Sequence, residues 1–246
     1  MPALARHYTV IAADLRGFGE SSLEPAGYDK KTLANDLHVL MVRLGYTRAT
    51  VVGHDWGAPV AYAYAAQHRD AVDKLVLVEG ALFGPWTENI EPLWFFHLLR
   101  LPNGYAENLI TGRERQFLSY FYDNREMHVV PAFDKSVIDI YTAAYARPGR
   151  MGPSYGLYRT IDDDVRDNAT FSKTKLAMPV LAVGADKGIG QGVIKSAHVV
   201  AANVTPVLFN HTGHFIPEER PEALTQTIEL FLAGKPVPAS WTPPGP

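Results

Sequence analysis

The sequence contains no cysteine among its 246 residues. Disulfide bonds, thiolate metal sites and a cysteine nucleophile are therefore excluded, and the redox compartment stays open. Neither sign of charge is in large excess, since 23 basic and 26 acidic residues give a formal net charge of −3. This balance gives no electrostatic reason to expect nucleic acid or an anionic membrane surface as a partner, and a neutral, apolar small molecule fits it better.

Long hydrophobic runs are missing as well. No stretch is long and apolar enough to span a bilayer, and the first seven residues lack the apolar run of a signal peptide. We therefore expect no membrane segment, with the cytoplasm as the default location. We also predict neither a metal nor a cofactor.

Strand-like and helix-like segments alternate through the first third of the chain. Residues 8–13, 49–52 and 74–78 have the apolar, β-branched composition of buried strands. Between the first two, leucines recur at helical spacing until Gly45, and a second helix is predicted at 58–68. Strands that are apolar throughout, rather than on one face, are typical of a parallel sheet covered by helices on both sides.

The pattern changes after residue 83. Residues 84–175 are rich in aromatic and helix-like segments without a strong strand, which predicts a helical cap inserted into the core. Strand-like segments return at 179–183 and 205–209, followed by a helix at 221–233. We thus predict core segments at 1–83 and 176–236. The remaining tail, 237–246, is too proline-rich for a helix or strand, and we expect it to be loosely attached.

A glycine-flanked acidic residue follows the second predicted strand. The motif GHDWG at 53–57 matches the strand–turn–helix context of a nucleophile elbow, which needs small residues two positions before and after the nucleophile. A carboxylate at that point is already ionised and can displace directly at an alkyl carbon, leaving an ester. Asp55 therefore predicts an alkylating electrophile as substrate. The alternative is that Asp55 is only a turn or N-cap residue.

Hydrolysis of such an ester needs a base that activates water. His214 follows a predicted strand end and is flanked by Gly213, so it can reach the same edge of the sheet. His211, three residues earlier, is the alternative histidine, but it is not part of a recognisable motif. The base in turn needs an acid to fix its tautomer, and both Glu79 and Asp186 follow predicted strands.

Three motifs together resemble the epoxide hydrolase branch of the α/β-hydrolases: DLRGFGES at 14–21, GHDWG at 53–57 and GHFIPEE at 213–219. They span nearly the whole chain in the family's order. The resemblance implies an α/β-hydrolase fold with a mostly parallel sheet and a helical cap, and conversion of small apolar epoxides to vicinal diols. It implies Asp55 as nucleophile and His214 as base. The segment VEGA at 78–81 is similar to the subset that uses a glutamate after the strand preceding the cap, so we prefer Glu79 over Asp186.

The resemblance also implies phenol or imidazole donors in the cap, which protonate the opening epoxide. Tyr158, directly before an arginine, resembles the ring-opening tyrosine, with Tyr155 as the fallback. A second donor usually belongs to a Trp-His pair on the first cap helix. Alignment on Trp94 puts Phe95 in that position, which leaves His97 on the next turn as the candidate.

Two features of the family do not occur in this sequence: its first strands, and a His-Gly-x-Pro loop that contributes to the oxyanion hole. The backbone N–H of Trp56 is the oxyanion donor that we can place. We expect the absent third strand to leave a gap or exposed edges in the sheet. A start site placed too late is our preferred account. Two other accounts are a genuine fragment, and a shortened protein that repairs its sheet by direct pairing of strands or as a homodimer. The intact mass of the native protein distinguishes the late start site from these two.

Two other functions compete with epoxide opening. A dehalogenase uses an aspartate in the same elbow, and the indole of Trp56 could hold the leaving halide. However, halide leaves as a stable anion and needs no proton, so Tyr158 favours epoxide opening. A non-catalytic ligand-binding protein is the second alternative, suggested by the incomplete core.

Overall fold

The computed structural model describes residues 2–88, 93–123, 128–129 and 133–243. A parallel sheet forms the centre of this part of the chain, with its strands hydrogen bonded in sequence order. The strands are β1 (Ala49–His54), β2 (Val72–Val78), β3 (Val180–Ala185), β4 (Val204–Phe209) and β5 (Ser240–Trp241).

Helices precede, connect and follow the strands. They are α1 (Lys30–Arg43), α2 (Gly57–Gln67), α3 (Trp94–Arg100), α4 (Tyr105–Ile110), α5 (Glu114–Tyr122), α6 (Lys135–Tyr145), α7 (Gly152–Arg159), α8 (Ile161–Phe171), α9 (Gln191–Val200), α10 (Ile216–Glu219) and α11 (Pro221–Leu232). None of the described helices has the length and apolar character needed to cross a membrane.

The two middle strands carry the core. Every residue of β3 is buried, as are the last four of β2, which matches their continuous apolar sequence. On one side, the small residues of α2 approach the sheet closely, with Ala58, Ala61 and Ala65 almost fully buried. On the other side, Ile228 and Phe231 of α11 pack against the sheet. The predicted parallel sheet with helices on both faces is confirmed.

The register of the strands determines where the site can form. His54, the last residue of β1, pairs with Val78, the last residue of β2, and Val78 pairs with Val183 of β3. The residues that follow these strands therefore meet at one edge of the sheet, where ligands bind in open parallel sheets.

Helices α3 to α8 all lie between β2 and β3 in the chain, and the described residues there contain no strand. This is the composition expected of the predicted cap. The boundaries at 84 and 175, like the other domain limits, stay predictions.

Residues 8–13 do not form the strand that the sequence predicts. Tyr8 and Ile11 are exposed, and no described strand pairs with the outer edge of β1, where Val52 is 50% exposed. A strand needs a neighbour for its backbone hydrogen bonds, and this segment has no such partner among the described residues. The sheet thus has the open edge expected from the sequence. The homodimer considered there stays a prediction.

The prediction for the tail is also wrong at one point. Ser240 and Trp241 form β5, which extends the sheet beside β4. The ring of Trp241 stacks on Phe209 with centroids 5.2 Å apart. The guanidinium of Arg220 lies over the same Trp241 ring, 5.4 Å from its centroid. Buried aromatic contact attaches the tail despite its prolines, which lie outside this short strand.

Candidate active site

Asp55 lies in a tight turn between β1 and α2. Its φ of 51° is unusual for a residue with a side chain. The turn is held by hydrogen bonds from Asp55 N–H to the carbonyl of Val78 and from Ala58 N–H to the carbonyl of Asp55, at 3.2 and 3.0 Å. A Cβ at Gly53 would collide with the backbone of Gly57, whereas Gly57 itself has open space around it. Only the first of the two motif glycines is therefore required by packing.

The carboxylate of Asp55 lies among protein groups but stays accessible. Its side chain is 52% exposed, so a ligand can reach it. The enclosing protein would raise the pKa of Asp55, but the nearby imidazole of His214 and the backbone N–H of Trp56 lower it below the usual value. Asp55 is thus held ionised in a position open to a substrate.

His214 lies in the loop between β4 and α10, as predicted, and is buried. Its Nε2 is 3.7 Å from Oδ2 of Asp55, and its Nδ1 is 3.3 Å from Oε2 of Glu79. Its carbonyl accepts a hydrogen bond from Nε2 of His54 at 2.9 Å, which fixes the loop. Burial would lower the pKa of His214, but the two carboxylates raise it to about 10.

Glu79 is the carboxylate that His214 contacts. It is fully buried after β2 with a φ of 40°, and three backbone N–H groups hold it. Oε1 accepts from Ala185 and Gly190 at 2.6 and 2.8 Å, and Oε2 accepts from Ile189 at 2.7 Å. The two carboxylate oxygens therefore have a fixed orientation towards the imidazole.

Asp186, the alternative acid, has a different partner. Its Oδ1 accepts a hydrogen bond from the backbone N–H of Thr212 at 3.1 Å, in the loop that leads to His214. This contact shapes the loop rather than the imidazole. His211 is exposed, and its carbonyl accepts a hydrogen bond from Arg220.

Tyr158 on α7 lies beside Trp56 and near Asp55. The two rings are perpendicular, with centroids 4.8 Å apart, and the indole N–H of Trp56 acts to lower the pKa of the phenol. Burial, followed by the charge of Asp55, raises the pKa of Tyr158. Phe96 of α3 packs on the same phenol at 4.9 Å, so Tyr158 is a protonated donor in an aromatic environment.

The other predicted cap residues have different surroundings. His97 is on the exposed side of α3, while Phe95 and Phe96 of that helix face Tyr158. Tyr155 is buried among apolar residues, and the guanidinium of Arg159 lies over its ring. The structure brings together Asp55, His214, Glu79, Tyr158 and Trp56, and it does not bring His97, Tyr155 or Asp186 to Asp55.

Two tyrosines near Asp55 were not identified from the sequence. Burial raises the pKa of both Tyr122 on α5 and Tyr145 on α6, and the charge of Asp55 adds to this effect. The available signal was spacing, because Tyr141 and Tyr145 are four residues apart and share one side of a helix. That spacing alone is equally typical of ordinary packing, so it carried no functional prediction.

A buried ion pair below Trp56 was also missed. Nζ of Lys30 is 2.7 Å from Oδ2 of Asp164, both side chains are buried, and the ammonium lies 4.3 Å from the centre of the Trp56 ring. Lys30 also donates to the carbonyl of Leu157, next to Tyr158. The ion pair joins α1 to α8, and the bond to Leu157 joins α1 to α7, the helix that carries Tyr158.

A carboxylate on an elbow, an imidazole and a second, buried carboxylate at one edge of a parallel sheet define a hydrolase with a nucleophile elbow. The family model for the alpha/beta hydrolase fold matches residues 1–221, and the chain belongs to that family.

Within the family, the chain is 31% identical to the soluble epoxide hydrolase of Corynebacterium sp. (strain C12), over 95% of this chain and 84% of that protein. It superposes on the solved structure of the epoxide hydrolase CorEH without ligand with a TM-score of 0.89 and 31% identity, again over 95% and 84% of the two chains. A fluoroacetate dehalogenase from Burkholderia sp is 26% identical, over 94% of this chain and 81% of that one.

Proposed function

We propose that this chain is an epoxide hydrolase that converts small apolar epoxides to vicinal diols through an ester on Asp55. The observation that carries the proposal is the contact of one imidazole with two carboxylates, one open to a ligand and one buried, beneath a protonated phenol. The likeness to epoxide hydrolases over nearly the whole chain supports the same substrate class.

In the first step, the carboxylate oxygen of Asp55 attacks an epoxide carbon and the carbon–oxygen bond of the ring breaks. The oxygen that leaves the carbon needs a proton, which Tyr158 supplies. The indole N–H of Trp56 stabilises the negative charge that develops on the phenol oxygen. The product of this step is a hydroxyalkyl ester of Asp55.

Formation of the ester prepares the base for the second step. The pKa of His214 is raised by two carboxylates, and esterification removes the charge of one of them. The pKa of His214 therefore falls once the ester has formed, and its proton can pass to the phenolate left by the first step. Neutral His214 is then able to accept a proton from water.

In the second step, water attacks the carboxyl carbon of the ester. Glu79 holds the Nδ1–H of His214 and stabilises the imidazolium that forms. The backbone N–H of Trp56, which already lowers the pKa of the Asp55 carboxyl, stabilises the oxyanion. Collapse releases the diol, which takes one proton from His214. The proton left on the Asp55 carboxyl then passes to His214, which restores the charged pair. The net change is epoxide plus water to diol.

The dehalogenase alternative is less well supported by the site. Its halide would need a donor such as the indole of Trp56, but that ring packs edge to face against the phenol of Tyr158. A leaving halide departs unprotonated, so it needs no proton from Tyr158, whereas the oxygen of an opening epoxide does.

Styrene oxide tests the proposed function. We expect racemic styrene oxide to be converted to the diol, with no halide released from 1-chlorobutane or fluoroacetate under the same conditions. The Asp55→Asn variant is the control, because it keeps the size of the side chain and removes the nucleophile. Halide release without diol formation would establish the dehalogenase, and diol formation by the control at the wild-type rate would contradict the ester mechanism.

A further inference from the structure

A lysine on the first helix lies between the nucleophile elbow and the helix of the proposed donor. Nζ of Lys30 is 4.3 Å from the centre of the Trp56 ring and donates to the carbonyl of Leu157 at 2.5 Å. Trp56 directly follows the nucleophile in the chain, and Leu157 directly precedes Tyr158. One ammonium therefore contacts both the elbow and the helix that carries the phenol.

The ends of α7 and α8 make a charged pair favourable in this buried position. Leu157 belongs to the last turn of α7, where carbonyl groups lack partners within the helix and a cation is favourable. Asp164 belongs to the first turn of α8, where an anion is favourable. Its carboxylate accepts from the backbone N–H of Lys30 at 2.9 Å and pairs with Nζ at 2.7 Å, and the two side chains are 3% and 4% exposed. The backbone bond and the ion pair together fix where the ammonium lies.

The indole of Trp56 is the shared neighbour of the ammonium and the phenol. Its ring packs edge to face with Tyr158 at 4.8 Å between centroids, and Phe83 and Phe96 lie 6.0 and 6.3 Å away. Of these four neighbours, only Lys30 is charged. A cation over an indole is attracted by the ring quadrupole, most strongly where water is excluded. The contact therefore fixes the orientation of the indole against which the phenol packs.

We propose that Lys30 is a positioning residue for the ring-opening step, acting through Trp56 and Leu157 to hold the Tyr158 phenol at Asp55. The inference rests on the proposed function. The charge matters in addition to the shape, because an uncharged side chain of the same length provides neither the attraction to the indole nor a donor for the free carbonyl of α7. A displacement of about 1 Å can cost on the order of 100-fold in rate, so loss of these contacts should slow ring opening.

A variant that keeps the fold but lacks the ammonium tests this role. Lys30→Met with Asp164→Leu removes both charges and leaves neither buried without a partner, so the folded state is retained. In a His214→Gln background the ester accumulates, and its formation from styrene oxide is followed by intact mass. We expect the rate constant to fall about 10- to 100-fold, while the amplitude, which measures the folded fraction, stays the same. Lys31→Met, at the surface of the same helix, is the matched control and should keep the rate of the His214→Gln protein.

A second background, Tyr158→Phe, separates positioning from packing. Ester formation is already slow without the phenol, and we expect removal of the Lys30–Asp164 pair to slow it by less than about twofold further. A structural defect would instead lower the rate by the same factor with and without the phenol. The single change Lys30→Met gives the same two readouts from whatever fraction of it is folded.

Three results would overturn the inference and leave the proposed function intact. They are an unchanged rate constant in the variant without the pair, a lowered amplitude with an unchanged rate constant, and equal losses of rate in the two tyrosine backgrounds. If the His214→Gln protein with its lysine pair forms no ester from styrene oxide or cyclohexene oxide, the proposed function fails and the inference fails with it.

Discussion

The two candidate acids at this site differ in the hydrogen bonds that hold their carboxylates. Glu79 is fixed by three backbone N–H groups and contacts His214, whereas Asp186 accepts one N–H from the loop beside it. The sequence placed both after strands, and the resemblance to the glutamate-using subset favoured Glu79. The hydrogen bonds distinguish them, because only an acid that touches the imidazole can set its tautomer.

Replacement of each acid by its amide tests this distinction. In Glu79→Gln the amide can turn its NH2 towards Nδ1 of His214 and favour the wrong tautomer, so we expect kcat to fall about 10²- to 10⁴-fold. The loss belongs to ester hydrolysis, and the ester on Asp55 should accumulate during turnover. Asp186→Asn is the control and should change kcat by less than about threefold, since partly exposed positions tolerate such changes. Equal losses in the two variants, measured by steady-state kinetics and intact mass, would refute the assignment.

The residues that could be predicted are those within local motifs. Asp55 and His214 each follow a strand and are flanked by glycine, so a few neighbouring residues were sufficient. The buried pair of Lys30 and Asp164 could not be predicted, because the two residues lie 134 positions apart in the chain. A lysine or an aspartate in a helix has no local feature that separates a buried ion pair from a solvated charge.

At the scale of elements, the Lys30–Asp164 pair joins α1 to α8. The ammonium also contacts the Trp56 ring and the carbonyl of Leu157, so it supports both the elbow and the helix that carries Tyr158. Burial lowers the pKa of Lys30 and raises that of Asp164, and each charge opposes the shift of the other. Removal of one partner therefore leaves a buried charge without compensation.

Unfolding in urea tests this contact between elements. We expect Lys30→Met to lower the free energy of unfolding by about 3–5 kcal/mol, and the double change Lys30→Met with Asp164→Leu to recover part of the loss. Lys31→Met is the matched control, since the adjacent lysine pairs with Asp167 at the surface, with side chains 51% and 28% exposed. That change should cost about 1 kcal/mol or less. The same loss in both lysine variants would show that the buried pair has no special role.

Two elements show why periodicity alone misassigns strands. Residues 8–13 have a strand-like composition but no neighbouring strand among the described residues, and they stay exposed. Ser240 and Trp241 lie in a proline-rich tail but reach the free edge of β4, where the ring of Trp241 covers Phe209. A strand depends on its partner, which a local pattern does not contain.

For the whole molecule, the fold class could be predicted because it depends on the order of strands and helices along the chain rather than on individual side-chain contacts. Strands that are apolar throughout alternate with helices at both ends of the chain, with helices alone between them, and this pattern favours few architectures. The details that depend on distant contacts, such as the pairing of β5 with β4 and the aromatic enclosure of Trp56, required the structure.

The central claim is that the carboxylate of Asp55, and not water, attacks the epoxide. A single turnover in H2¹⁸O, with enzyme in excess over styrene oxide, tests it most directly. The account predicts that the first diol contains no ¹⁸O, because its new oxygen comes from Asp55 and the label enters the carboxylate instead. A first-turnover diol that carries ¹⁸O would show direct attack by water and contradict the account.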